Sequence, residues 1–220
     1  MTATVSQKTG STVASAGFIG LGAMGAPMAG HLHRCGLLGA VWNRSPGPAA
    51  KFVAACPDAV VAESLEALVG MAEAVLICVS ADEDLRQIID HIEPVLCAGQ
   101  VVVDHSSVAP ATARDIAGRL AKTGVAFVDA PVTGGVEGAA NGRLAIMAGG
   151  QRSVIERLDP IFSAYAAVWH HLGDSGAGQS AKAVNQLMVS GIAEAVCEAL
   201  ALVERLDHRY RAVTLEQERH

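Results

Sequence analysis

The stretch best suited to chemistry in this chain is one with almost no side chains. GFIGLGAMGAPMAGHL, Gly17–Leu32, sets Gly20, Gly22 and Gly25 in the spacing G-x-G-x-x-G between an apolar run and a helix-like segment. Backbone stripped at that spacing suits a pyrophosphate. The first glycine makes a tight turn, the second lets a phosphate approach the main chain, and the third lets helix and strand pack closely. The helix start adds free N–H groups and the positive end of its dipole. The whole turn, Gly20, Leu21, Gly22, Ala23, Met24 and Gly25, is therefore expected at a dinucleotide, with Val79 after a later strand beside it. In this arrangement an acid about twenty positions further on would take a ribose 2′-OH. Here that place holds Asn43, Arg44 and Ser45. Arg44 can pair with a 2′-phosphate through two or more N–H groups, and Asn43 and Ser45 can donate to it. NADP is the expected cofactor, with NAD possible.

Other reactive-looking residues carry less. Asp104, His105, Ser106 and Ser107 resemble hydrolase chemistry by type, but a serine nucleophile needs its base placed by geometry rather than adjacency, and no nucleophile elbow accompanies them. His170 and His171 are neighbours on a strand-like run and point opposite ways, so no metal site is expected. The five cysteines are widely spaced and odd in number, which reads as small buried apolar thiols in a reducing compartment.

The elements that must position the glycine turn follow from pattern. The chain has 220 residues, 51% hydrophobic and 17% charged, with a formal net charge of −6, so it can bury one sizeable core and offers no basic stripe for nucleic acid. AGFIG, GAVWN, VLICVS, QVVVDHS and VAFVDAP are short and apolar without alternation, as strands buried on both faces should be. Helix starts lie between them: Ser45 before PGPAAKFVAAC, Ser64 before LEALV, Asp82 before EDLRQIIDHI, and Pro110 opening ATARDIAGRLAKTG, which Gly124 stops. Strand–helix alternation predicts an α/β fold with a Rossmann-type, doubly wound, mainly parallel sheet. RLAIMAGG, QRSVIERLDPIFSAY and AVWHHLG add a further strand, helix and strand. Gln179 to Leu206 then reads as one long helix, apolar on nearly every face and so expected to be buried.

Three ordered blocks now carry a resemblance. GFIGLGAMGAPMAGHL, the run from VVVDHSSVAPATARDIAGRL through DAPVTGGVEGAANGRLAIMAGG, and GAGQSAKAVNQLM together resemble the β-hydroxyacid (3-hydroxyisobutyrate) dehydrogenase family, over about Gly17 to Leu206. Tartronate semialdehyde reductases belong to it and 6-phosphogluconate dehydrogenase is a more distant relative. The resemblance implies an NAD(P)-dependent oxidoreductase that moves a hydride between nicotinamide and a small 3-hydroxy acid or its semialdehyde. Lys182 would be the general acid/base, Asn185 would hold the substrate or the lysine, and Gln186 lies beside it. Thr133, Gly134 and Gly135 would bind the substrate carboxylate, and Ser107 would lie near nicotinamide and substrate. Elementary chemistry agrees: a developing alkoxide needs a proton or cation within reach. Lys182, Asn185 and Gln186 stand at helical spacings of three and four, on one face.

The expected organisation is a flexible leader over 1–15, a cofactor-binding domain over 16–177, and over 178–220 a long interdomain helix with a shortened remnant of an all-helical C-terminal domain. The family match fades after ALALVERLD, and HRYRAVTLEQERH follows. The polar start lacks a secretory layout and no uninterrupted apolar run spans a membrane, so a cytoplasmic protein is expected. The apolar helix suggests a homodimer or higher homo-oligomer. The alternative reading is a catalytically weak nucleotide-binding or partner-binding protein.

Overall fold

Five of the apolar runs form parallel strands: β1 (Ala16–Ile19), β2 (Leu38–Trp42), β3 (Ala74–Ile77), β4 (Val101–Asp104) and β5 (Ala126–Asp129), side by side as β2-β1-β3-β4-β5. The computed structural model describes residues 12–205. Strand alternation divides the core in two. Ala74 and Leu76 of β3, and Val101 and Val103 of β4, face one apolar cluster; Val75, Ile77 and Val102 face the other. Helices cover both faces. α1 (Gly25–Arg34) places Met28, Ala29 and Leu32 in the first cluster. α3 (Leu65–Gly70), α4 (Asp82–Ile92) and α5 (Pro110–Leu120) fill the second, with Leu68, Leu85, Ile89 and Ile116 fully buried. α2 (Pro46–Ala55) packs Phe52 against the first. Apolar residues on both sides of every central strand explain why those runs show no polar alternation.

The remaining strands depart from the parallel pattern. β6 (Val132–Thr133) pairs antiparallel with β7 (Leu144–Gly149), and β7 meets β5 antiparallel through Asp129 and Gly149. β8 (Ala166–Gly173) runs parallel to β7. The loop expected over VTGGVEGAANG holds β6 and a short helix, α6 (Gly135–Ala140). The single helix expected over QRSVIERLDPIFSAY is broken into α7 (Arg152–Arg157) and α8 (Asp159–Ser163), because Pro160 cannot continue the first and suits the opening turn of the second.

Helix starts agree with expectation at Ser64, whose hydroxyl accepts from Ala67 N, and at Pro110. Ser45 stands at the start of α2 without a side-chain cap. Asp82 is not the cap of α4: Ala81 holds that place, and Asp82 opens the helix while its carboxylate accepts from Ala109 N and Thr112 Oγ1. Gly124, at φ 76°, ends a short 3-10 turn that follows α5. Residues 13–15 of the expected leader are tied down. Val13 is buried and donates to Arg157 O, while Ser15 O accepts from Glu73 and Ala74. Residues 1–11 lie outside the described residues.

The last helix, α9 (Ala177–Arg205), crosses between two compact units, Met1–Lys182 and Ala183–His220. In the second unit the expected burial does not hold: Leu187 is 75% exposed, and Val184, Met188 and Ile192 are exposed as well. Over Ala177–Glu204 the helix is long and apolar enough to cross a bilayer by length and composition, at a mean hydropathy of 1.6. The expectation that no uninterrupted apolar run spans a membrane is unaffected, since Glu194 and Glu198 interrupt this helix.

Candidate functional site

The parallel strands end level with one another. Ile19 pairs with Trp42 on one side and Ile77 on the other, Ile77 with Asp104, and Asp104 with Asp129. Residues just beyond those ends therefore share one edge of the sheet, and β1, flanked by β2 and β3, marks the point where strand order reverses. Open α/β sheets bind ligands in the crevice outside such a point.

Gly20 turns the chain there at φ 97°, and a Cβ on it would run into the carbonyl oxygen of Cys78. A Cβ on Gly25 would meet Gly20 O, so this glycine serves close packing of α1 on the turn. Gly22 is different: a Cβ there would meet no protein atom within 4 Å. What makes a bare main chain useful at Gly22 is the space outside it. α1 begins at Gly25 with no side-chain cap and no acid in its first turn, which leaves the dipole's positive end to an anion. These features fit a dinucleotide's phosphates.

A cavity of about 540 Å³ opens beside the turn. Of the residues expected at a cofactor, Gly20, Gly22, Asn43, Arg44, Ser45 and Val79 line it together; Leu21, Ala23, Met24, Gly25 and Ser107 do not. Leu21 is buried, although its N–H donates to Asn43 Oδ1 at 2.8 Å, and Asn43 Nδ2 donates to Ser45 O at 2.9 Å. Asn43 thus clasps the glycine turn to the end of β2. Arg44 is 75% exposed by its side chain and pairs with Asp84 of α4 at 2.8 Å. Ser107 is exposed, while its neighbour Ser106 accepts from Val79 N through Oγ at 3.0 Å.

A buried polar cluster supports the next strand ends. Asp104 accepts from Ser106 N through Oδ1 and from Gln179 Nε2 through Oδ2, and burial pushes its carboxyl up to about 7. Asp129 accepts from Gly176 N and Gln179 N, the donors at the head of α9, and burial raises it too. Gln179 also donates to Ser106 O and accepts from Val108 N. Gly149 and Gly178 are small because a side chain on either would collide with Asp129. His105 donates through Nδ1 to Ala130 O, accepts from Tyr165 OH at Nε2, and is held down to about 4 by burial. With Nδ1 on a carbonyl and Nε2 on the Tyr165 hydroxyl, His105 is not placed as a base for Ser106 or Ser107, which speaks against hydrolase chemistry. His171 bonds Gly150 O, and among the described residues no group of histidine, cysteine and acids could hold a metal.

This cluster fixes the start of the helix that carries Lys182. The lysine is 9% exposed, and its Nζ donates to Val132 O at 2.9 Å, one residue before Thr133. Burial lowers its pKa from the ordinary lysine value. Gly134 and Gly135 follow Thr133 with φ of 124° and 64°, backbone that favours glycine. Asn185 and Gln186 belong to the second unit, where Asn185 Nδ2 donates to Gln186 Oε1 at 3.2 Å.

Sequence reasoning missed several residues at the cavity. Glu63, Ser64 and Glu66 arrive from α3 and the loop before it; Asp84, Gln87 and His91 come from α4. Asp84, Gln87 and His91 are polar residues on an amphipathic helix, Glu63 and Ser64 stand in a loop, and only the fold brings them to one cavity with Arg44.

Residues 15–173 match the model of the NAD binding domain of 6-phosphogluconate dehydrogenase. An uncharacterized oxidoreductase of Shewanella frigidimarina is 39% identical over 191 residues, covering 86% of this chain and 65% of that one. An NAD-dependent L-serine dehydrogenase of Pseudomonas aeruginosa is 36% identical over 84% of this chain and 62% of its own length. Among solved structures, a Mycobacterium tuberculosis 3-hydroxyisobutyrate dehydrogenase with L-serine superposes with a TM-score of 0.82 at 31% identity, over 89% of this chain and 66% of that one. The chain thus spans somewhat less than two thirds of these relatives. Glycine turn, parallel strand order and matched span agree: the chain belongs to the 6-phosphogluconate dehydrogenase NAD-binding family, alongside the 3-hydroxyisobutyrate dehydrogenases.

Proposed function

We propose that the chain is an NADP-preferring oxidoreductase acting on a small 3-hydroxy acid or the matching semialdehyde. The bound nicotinamide supplies or accepts the hydride. Gly20, Gly22 and the head of α1 hold the phosphates, and Arg44 with Ser45 receives the 2′-phosphate. Thr133, Gly134 and Gly135 take the substrate carboxylate, and Asn185 and Gln186 assist from the next turns of α9. Lys182 gives the alkoxide its proton in reduction and takes it back in oxidation. The NAD-dependent serine dehydrogenase relative keeps NAD as the second choice of cofactor.

Lys182 is the observation that carries the reading. A cation taken out of water is costly without a purpose or a partner, and among the described residues this one donates to a carbonyl, Val132 O, next to the residues assigned to the carboxylate. Desolvation brings its amine toward a working range for proton transfer. The test is NADPH oxidation with tartronate semialdehyde and methylmalonate semialdehyde by the wild type, Lys182→Ala and Lys182→Met. The rate should fall by about a hundredfold or more in both variants; equal rates would end the assignment. We also place the protein in the cytoplasm, in keeping with five free cysteines, and expect self-association through α9.

A further inference from the structure

We infer that Asp84 sets nucleotide preference in this cavity by competing with a 2′-phosphate for Arg44. The inference rests on the nucleotide reading above and goes beyond it. Arg44 stands where a 2′-phosphate would be received, yet its Nη1 is already bonded to Asp84 Oδ1 at 2.8 Å. Asp84 is held firmly by comparison. It lies in the first turn of α4, where the helix dipole favours a negative charge, and its side chain is 27% exposed against 75% for Arg44. The carboxylate is thus the fixed partner and the guanidinium the movable one.

The rest of the lining sharpens the competition. Glu63 and Glu66 share the cavity with Asp84, so three carboxylates face one arginine and His91. An incoming phosphate must draw Arg44 away from Asp84 and then sit near the carboxylate it has displaced. A 2′-hydroxyl asks for neither. Arg44 alone would favour the phosphorylated ribose strongly; paired with Asp84, it favours it by a smaller margin. The pair therefore acts as a specificity control, with Asp84 holding the cavity open to both cofactors.

The test measures binding of adenosine 2′,5′-bisphosphate and adenosine 5′-monophosphate by calorimetry at fixed ionic strength, in wild type, Asp84→Asn, Asp84→Ser, Arg44→Ala and Arg44→Ala/Asp84→Asn. Freeing an exposed ion pair and removing a like charge should tighten the 2′,5′-bisphosphate about five- to tenfold. The monophosphate should stay within about twofold. The gain should vanish when Arg44 is absent. An unchanged or weaker 2′,5′-bisphosphate in both Asp84 variants would overturn the inference, because Asp84 would then be idle or would orient Arg44 productively. A gain that persists without Arg44 would overturn it too, leaving simple repulsion. Failure of the underlying reading looks different: Arg44→Ala alone would leave the preference for the 2′-phosphate untouched, or neither nucleotide would bind the wild type.

Discussion

Replacing Asp104 with asparagine should tilt the pH dependence of stability in a way that can be worked out from two buried neighbours. Asp104 ends β4 fully buried and titrates at about 7 instead of 3.8. Between those values the folded chain keeps a proton that the unfolded chain has released. Its contribution is complete below pH 4 and drains away as pH rises toward 7, by up to about 4 kcal/mol. His105 opposes it. Burial holds the imidazole at about 4 rather than 6.5, so the unfolded chain takes up a proton in that interval and the folded chain does not. Stability from His105 is lost as pH falls through the same range, by up to about 3 kcal/mol. In the wild type the two slopes cancel between about pH 4 and 6.5. In Asp104→Asn the His105 slope is no longer offset by Asp104, and stability climbs with pH relative to the wild type. Asparagine also sets an amide donor against Gln179 Nε2, which adds a pH-independent offset, so the slope and not the level carries the information. Urea unfolding followed by circular dichroism from pH 4.5 to 7.5 measures it. The variant's stability relative to wild type should grow by about 2–4 kcal/mol across that range. Parallel curves would refute the account of Asp104.

The two glycines of the turn should separate folding from binding. Gly20→Ala forces a Cβ into Cys78 O at a positive φ and should lower the melting temperature markedly, whereas Gly22→Ala should melt like the wild type yet lose most of its nucleotide affinity, by calorimetry with NADPH. Self-association through α9 should appear in sedimentation velocity without detergent, and Leu187→Glu with Ile192→Glu should abolish it; a wild type that sediments as a monomer at micromolar concentration contradicts it.

The sheet was legible because its strands are buried on both faces, which leaves runs such as AVLI in β3 and VVVD in β4 unmistakable. The glycine turn was legible because three backbone requirements fall within six residues. Local rules failed where a distant segment decides the outcome. Asp82 looks like a cap from sequence, but Ala109 and Thr112 claim its carboxylate. Asp104, Asp129 and Gln179 look unrelated until α9 brings its head against β4 and β5. Arg44 was readable as a cation at the end of β2, but its partner Asp84 sits 40 residues later on a helix whose pattern says only that one face is wet. The long apolar segment reads as buried, yet Leu187 and Ile192 are exposed, because composition alone cannot say what surrounds a helix.

The clasp at Asn43 bears on how such a site changes hands over generations. Its oxygen holds Leu21 N–H and so keeps the turn in shape. Among the side chains, aspartate has an oxygen at the same reach, and one nucleotide separates the two codons. That exchange would keep the contact to Leu21 N–H, give up the donation to Ser45 O, and install the acid that grips a bare ribose. A single codon change thus trades one coenzyme's contact for the other's, and its cost is one hydrogen bond at the end of β2.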